Sequence, residues 1–267
     1  MFQGVQLEGS RRQSTASGRS SKEAGRVKAE LLNLGRQAKL EKSMKLYDIR
    51  VAGLHLSPGK VAGMTICPDM SPGCRGGCLD TAGRGQMAVV QSARHRKTWK
   101  FLADPVGFGR KLDAECVDFL ASQARKGVEA WIRPNLTSDI SWESYLSTRV
   151  LERCYDYTKS VARWTAQPYH LTYSWSERSG QSPLQLAQQA LKANRPGVAV
   201  VVSPEIHESL QGLTEFHGVP VVDGTKDDQR PYDPPGALVL LKPLGRLRKD
   251  TTGFVIRDPR VLTRRYL

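Results

Sequence analysis

From about residue 48 onward, apolar residues fall in short runs of alternating or continuous hydrophobicity, and longer stretches with helical spacing lie between them. The runs predict strands at Ile49 to Leu56, Val128 to Leu136, Tyr155 to Lys159, Tyr169 to Ser176, Gly197 to Ser203, Val219 to Asp223, Ala237 to Lys242 and Gly253 to Arg257. Helices are expected over Gln86 to Leu102, around Leu112, Cys116, Phe119 and Leu120, and around Leu184, Ala187 and Leu191, the last closed by Asn194 and Pro196. Strand and helix alternate, which argues for an α/β fold with a parallel sheet. So many repeats suit a partial or complete TIM-like (β/α) barrel, made irregular at its end because the late strands leave little room for helices.

The first part of the chain reads differently. Residues 1–21 include GSRRQSTASGRSS, too polar to order itself, and predict a flexible basic arm. Ser20 and Glu23 form a capping-box pattern, and Ala24, Val27, Leu31, Leu34 and Ala38 follow at helical spacing, so residues 22–46 are expected as an amphipathic basic helix. Residues 47–267 then form the barrel-like domain.

Charge adds a second layer. The chain of 267 residues has a net charge of +14. Residues 1–50 carry eleven Lys/Arg against five Asp/Glu and residues 242–267 eight against two, so +12 of the total sits at the two ends. Grouped cations suit a polyanion, and solubility alone is the plainer explanation. No run approaches the ~18 apolar residues of a membrane span, and no apolar stretch follows the start, so a soluble protein of a reducing cytoplasm without structural disulfides is expected.

The sharpest chemical signal is the segment Cys67-Pro68-Asp69-Met70-Ser71-Pro72-Gly73-Cys74-Arg75-Gly76-Gly77-Cys78, which holds three of the five cysteines and follows the first expected strand of the α/β region. Its Pro, Gly and Ser residues let a short loop fold back so that three thiolates meet at one centre. Three thiolates without a paired C-x2-C elbow suit a [4Fe–4S] cluster with one iron left open. Zinc is the alternative, with His55, His95, Asp69 or Asp80 as fourth ligand. Cys116 falls on the apolar face of a helix and Cys154 leads into a strand, so both are expected as buried hydrophobes.

In a β/α protein the residues that build a site stand at the carboxyl ends of strands. This gives Lys159, Glu177 and Asp223 as candidate catalytic groups and Asn135, Asp139, Trp175 and Ser203 as candidate pocket lining. Asp223 begins a segment with Asp227, Asp228 and Lys226 that reads first as a turn and second as an acid/base or cation site. The five tryptophans follow no regular interval and are expected mostly in core or pocket wall. No Walker loop, G-x-S-x-G elbow or H-E-x-x-H motif is present, so the common nucleotidase and hydrolase classes lack support.

Three closely spaced cysteines after the first strand of a β/α barrel resemble the radical S-adenosylmethionine enzymes. That superfamily spaces them C-x3-C-x2-C, whereas the gaps here are six and three residues. Gly76-Gly77 lies inside the loop and not in a Gly-Gly-Glu segment after the second strand, so this resemblance implies the cluster more than the nucleoside cofactor. The chain more closely resembles the phage family called gene product eighty-eight. The likeness rests on the cysteine loop with Ala82-Gly83-Arg84-Gly85, the segment Asn135 to Trp142, the run Tyr155 to Ser160, and Pro220 to Asp228 leading to Asp233-Pro234. It covers roughly residues 50 to 257 and departs at Leu79, where an aromatic is usual. It implies a phage-encoded protein of the host cytoplasm with a cysteine-bound metal site.

Two functions follow from these readings. The first is a redox or radical-type iron–sulfur enzyme that needs an electron donor. The second is a nucleic-acid-binding phage accessory protein with a structural iron–sulfur or zinc site, its phosphate contacts made by Arg11, Arg12, Arg26, Lys28, Arg94, Arg96 and Lys97.

Overall fold

The computed structural model describes residues 30–34, 38–58, 60–61, 64–78 and 83–264. It begins with strand β1 (Leu32–Leu34), helix α1 (Ala38–Tyr47), strand β2 (Arg50–Leu54), and the hairpin β3 (Lys60–Val61) and β4 (Met64–Thr65). The short helix α2 (Pro72–Gly76) lies in the cysteine segment, followed by α3 (Ala88–Ala103) and α4 (Pro105–Ala124). Next come β5 (Ala130–Arg133), α5 (Thr148–Leu151), β6 (Tyr155–Thr158), α6 (Val161–Ala166), β7 (His170–Ser174), α7 (Pro183–Lys192), β8 (Val198–Val202) and α8 (Pro204–Leu210). The chain ends with β9 (Glu215–Phe216), β10 (Val219–Asp223), β11 (Leu238–Leu241), β12 (Val255–Ile256) and α9 (Arg260–Thr263).

All eight strands expected from the apolar runs are present. Four helices share one starting device, a capping side chain followed by proline at the first helical position: Ser71-Pro72, Asp104-Pro105, Ser182-Pro183 and Ser203-Pro204. The cap accepts a backbone N–H that has no helical partner, and the proline lacks the N–H that would be orphaned there.

The architecture is mixed α/β. β2 pairs parallel with β5, and a single parallel bridge between Ile132 and Cys154 leads to β6. From there β6, β7, β8, β11 and β10 run parallel in that order, with β9 antiparallel at one edge and β1 antiparallel to β2 at the other. β7 pairs only Val198 and Ala199 of β8, and β12 takes Val201 and Val202, so the strands splay apart at their carboxyl ends. Among the described residues no pairing closes the sheet into the expected barrel.

Both faces are covered. On the first, Phe101, Phe108, Leu112, Cys116 and Val150 pack on Ala52, Leu54, Ile132 and Leu171, while Leu184, Ala187, Ile206 and Leu262 pack on Tyr173, Val198, Val200, Leu238 and Leu240. On the second, Leu40 and Met44 of α1 cover Ile49, Val51 and Tyr155. Beside α1 runs the segment 224–233, whose Asp228 accepts from Tyr157 Oη at 3.0 Å, pairs with Arg133, and donates its own N–H to Ser43 Oγ at 2.9 Å. The turn expected after Asp223 is present over 224–226, and Asp227 and Asp228 beyond it are buried ion-pair partners.

The expected helix over residues 22–46 is corrected where it is described. Leu32–Leu34 is an edge strand, and the described helix runs from Ala38; residues 22–29 and 35–37 lie outside the described part, as does the expected arm over 1–21. The cause lies in α4. The buried Glu115 carboxylate accepts the N–H groups of Glu30, Leu31 and Leu32 at 2.9–3.2 Å and holds this backbone extended against β2. Leu31 and Leu34, spaced as a helical seam, end with Leu31 buried and Leu34 half exposed.

Glu115→Ala should leave buried backbone donors unpaired and lower unfolding free energy by about 2–4 kcal/mol. A loss below roughly 0.5 kcal/mol in urea unfolding would remove the anchoring role from this carboxylate. His170 tests the second face. Burial, aided by the Arg230 charge, pushes its imidazole down from 6.5 to about 4. The unfolded chain therefore takes up a proton below pH 6.5 that the folded chain refuses until about pH 4, and stability is lost as pH falls through that window. His170→Gln should lose about 1–2 kcal/mol less than wild type between about pH 7.5 and 5, measured by urea unfolding at each pH.

Candidate metal and thiol site

The cysteine segment folds against the carboxyl ends of β6 and β7. Cys67 comes after β4, its N–H donating to Thr65 Oγ1 at 3.2 Å, while the preceding Ile66 is buried with its carbonyl accepting from Asp139 N at 2.9 Å. Ser71 caps α2, accepting from Cys74 N at 3.2 Å. Cys78 lies beyond the carboxyl end of α2.

A single carboxylate fixes this loop to the sheet. Glu177, just past β7, accepts from Ser71 Oγ at 2.9 Å and from Gly73 N at 2.8 Å. The opposite side of α2 rests on the carboxyl-terminal segment. A Cβ on Gly73 would strike Phe254 and Thr252, and one on Gly77 would strike Leu247, so glycine is required at both positions by close approach.

Lys159, at the carboxyl end of β6, is the cation of the site. Its Nζ donates to Ser174 Oγ at 2.9 Å and to Ser174 O at 3.2 Å, and stands 4.8 Å from the centre of the Phe254 ring. Burial draws the ammonium below its ordinary value, opposed by the negative forms of Cys74, Asp139, Glu177 and Cys67. Burial likewise pushes the Cys74 thiol up, with Lys159 pulling the other way. The charges that act on Lys159 are those of the cysteine loop and its anchors.

Asp139 braces this arrangement from behind. It accepts from Lys159 N at 2.9 Å and Thr158 Oγ1 at 3.2 Å and pairs with Arg163 at 2.8 Å, while burial raises its carboxyl above the usual range against those contacts. Thus Lys159, Glu177 and Asp139 are gathered with Cys67 and Cys74.

The other candidates lie elsewhere. Asn135 is buried, its Oδ1 accepting from Ser138 Oγ, Ile140 N and Trp142 Nε1 at 2.7–3.0 Å, so it shapes the loop after β5. Trp175 sits in the core and donates Nε1–H to Gln181 O at 2.9 Å. Ser203 is the cap of α8. Asp223 joins a separate group, accepting from Thr225 Oγ1 at 2.6 Å and contacting His207 Nε2 at 3.0 Å. Cys116 and Cys154 are buried in the core, as their apolar setting predicts.

Of the expected phosphate-binding residues, Arg11, Arg12, Arg26 and Lys28 lie outside the described residues. Arg94 is buried, and Lys97 donates to Leu31 O at 2.6 Å and Asn33 Oδ1 at 3.1 Å, so both face inward; Arg96 is exposed. Sequence reasoning missed Ser71, Phe254, Leu247 and Arg163 as supports. The Ser-Pro pair at Ser71-Pro72 signalled a cap, but nothing local ties residues 245–254 to a loop so distant in sequence.

For a metal, the donor chemistry fits and the assembly is incomplete. Three half-buried thiols stand on one loop, and two of them, Cys74 and Cys67, act on the Lys159 cation, which suits thiolate ligation, whose net charge is negative. Among the described residues, however, no three His, Cys, Asp or Glu side chains are gathered as a ready-made metal site. Of the alternative fourth ligands, Asp69 and His95 are exposed, Asp80 is outside the described residues, and His55 is held neutral by burial and by Arg94, its value pushed down to about 3.

Fold and site together define an α/β protein whose cysteine loop is anchored at the carboxyl end of a largely parallel sheet. The Gene product 88 family model matches residues 17–258, and the chain belongs to this family of phage gene products. No curated protein and no solved structure matches it. No described helix is long and apolar enough to cross a membrane.

Glu177→Ala should free α2 from its two charge-assisted bonds and raise the rate of thiol labelling at Cys74 about tenfold or more, with only a small change in global unfolding. Unchanged labelling would show that the carboxyl-terminal segment holds the loop alone.

Proposed function

We propose that this protein binds a [4Fe–4S] cluster through Cys67, Cys74 and Cys78 and uses it for redox or radical-type chemistry in the cytoplasm of the host cell. The observation that carries this reading is the placement of the Lys159 ammonium among the cysteine loop and its anchors, at the strand ends where β/α proteins build sites. A cation lowers the free energy of thiolates and of the anionic group they would hold.

A bound cluster would supply electron transfer, and an open iron would supply a coordination position for substrate. The chain's own residues have separable tasks. Glu177 fixes the loop through Ser71 Oγ and Gly73 N without using a thiol, Asp139 orients Lys159 through its backbone N–H, and Ser174 holds the Lys159 Nζ. Phe254 and Leu247 exclude water from the side of α2 that faces them. The splayed parallel strands resemble a partial barrel in their order, with the same end carrying the site. Zinc on the same thiols is the competing occupant and would confine the loop to a structural role.

Purification without oxygen, followed by measurement of iron, sulfide and zinc per chain, tests the reading. About four irons and four sulfides with absorbance near 400 nm, lost in Cys74→Ser, are expected. One zinc and no colour would end the redox reading. Incubation of reduced protein with S-adenosylmethionine separates the two chemistries: cleavage would show radical chemistry, and an unreacted nucleoside with a reversible cluster potential would show electron transfer.

A further inference from the structure

We propose that the outward face of α3 binds single-stranded nucleic acid, with Trp99 stacking on a base and Arg96 and Lys100 contacting phosphates. Positions 89, 92, 96, 99, 100 and 103 share one side of the helix, and all are exposed. Trp99 is 52% exposed, contrary to its expected place in core or pocket wall.

The charge on this helix is divided by function. α3 contains Arg94, His95, Arg96, Lys97 and Lys100 and no acidic residue. Arg94 and Lys97 face inward, the first buried and the second holding the backbone before β1 and the side chain of Asn33. Arg96 and Lys100 make no ion pair with any described residue. They stand four residues apart, where like charges repel. A solvated face would gain from an interspersed Asp or Glu at such a spacing, and none is present. Beside Arg96, at one edge of the same arc, lies the one tryptophan with more than half its surface exposed.

Cations beside an exposed indole, with no ion-pair partner among the described residues, match an unpaired strand better than a duplex. Phosphates need point charges at the spacing of a backbone, and a free base offers a flat surface for the indole. A peptide partner of acidic character would pair with the cations but gives the indole no comparable flat partner. The face is also placed for use: Ser57, beyond the carboxyl end of β2, donates to Thr98 Oγ1 at 2.7 Å, so this part of α3 lies at the end of the sheet that carries the cysteine loop. The proposal is independent of any metal.

Fluorescence anisotropy of the full-length protein with labelled oligothymidylate and oligouridylate of about 20 nucleotides, and with a duplex of the same length, tests it. Trp99→Ala should weaken single-strand binding roughly 5- to 100-fold while Trp99→Phe keeps most of it. The Arg96→Ala, Lys100→Ala double variant should reduce the dependence of log affinity on log salt by about 1.4 between roughly 50 and 200 mM. Unchanged melting of the variants confirms intact folding. Tighter binding of either strand supports the proposal and identifies DNA or RNA as the ligand. Wild-type affinity in Trp99→Ala, preference for the duplex, or no binding by the full chain would overturn it, the first by assigning binding to the basic ends.

Discussion

A parallel sheet has to be covered on both faces, and here the second face depends on one buried ion pair. The first face is closed by ordinary amphipathic helices, as in any β/α chain. The second is closed by α1 and by a segment without regular strand or long helix, and such a segment brings polar backbone into the interior. Arg133 makes this tolerable. Its guanidinium pairs with Asp228, stands 5.4 Å from the Tyr155 ring centre and 5.2 Å from that of Tyr157, and lies 3.5 Å from Asp156. Arg230 repeats the device through Asp227 at 3.1 Å and Asp233 at 2.8 Å. Burial still pushes the Asp156 and Asp233 carboxyls up to about 7 despite these arginines, so desolvation is only partly offset.

That arrangement determines where chemistry can occur. The middle of the second face is filled by arginines, tyrosines and carboxylates joined in ion pairs and ring contacts, although Tyr155 Oη and both polar atoms of the Gln229 side chain have no hydrogen-bond partner among the described residues. The carboxyl end differs because β7 and β12 share one edge of β8 and splay. Lys159, Ser174 and Phe254 come together in the opening, and the cysteine loop closes over them. The candidate site is thus a consequence of incomplete strand pairing, and the cation in it answers the thiols where Arg133 answers Asp228.

The eight α/β strands were legible because each is a short apolar run with turn residues on both sides, a pattern that local sequence carries in full. Leu32–Leu34 was not, since Leu31 and Leu34 fit a helical seam and the deciding contact comes from Glu115 on another helix. The barrel expectation came from counting repeats, and repeat number does not report whether edge strands meet. Within the site, Lys159, Glu177 and Asp139 were legible as polar residues at strand ends. Asn135, Trp175 and Ser203 satisfy the same rule and instead cap, pack or brace, because a strand-end position says nothing about which way a side chain is drawn. Trp99 was hidden for the opposite reason: an aromatic residue in a helical stretch looks like core until the neighbouring buried positions are known.

The way the cysteine loop is held bears on how it would take up a metal. Its anchors act on Ser71 Oγ, on the Gly73 backbone and on the glycine surfaces of α2, and none of them uses a sulfur atom. Fixing the loop and binding through its thiols are therefore separate tasks, and the loop can occupy its place before any ligand arrives. Cys74 rides on the anchored helix, whereas Cys67 and Cys78 flank it outside α2. A single centre on these thiols would require Cys67, Cys74 and Cys78, which are not gathered as a ready-made site among the described residues, to converge on binding.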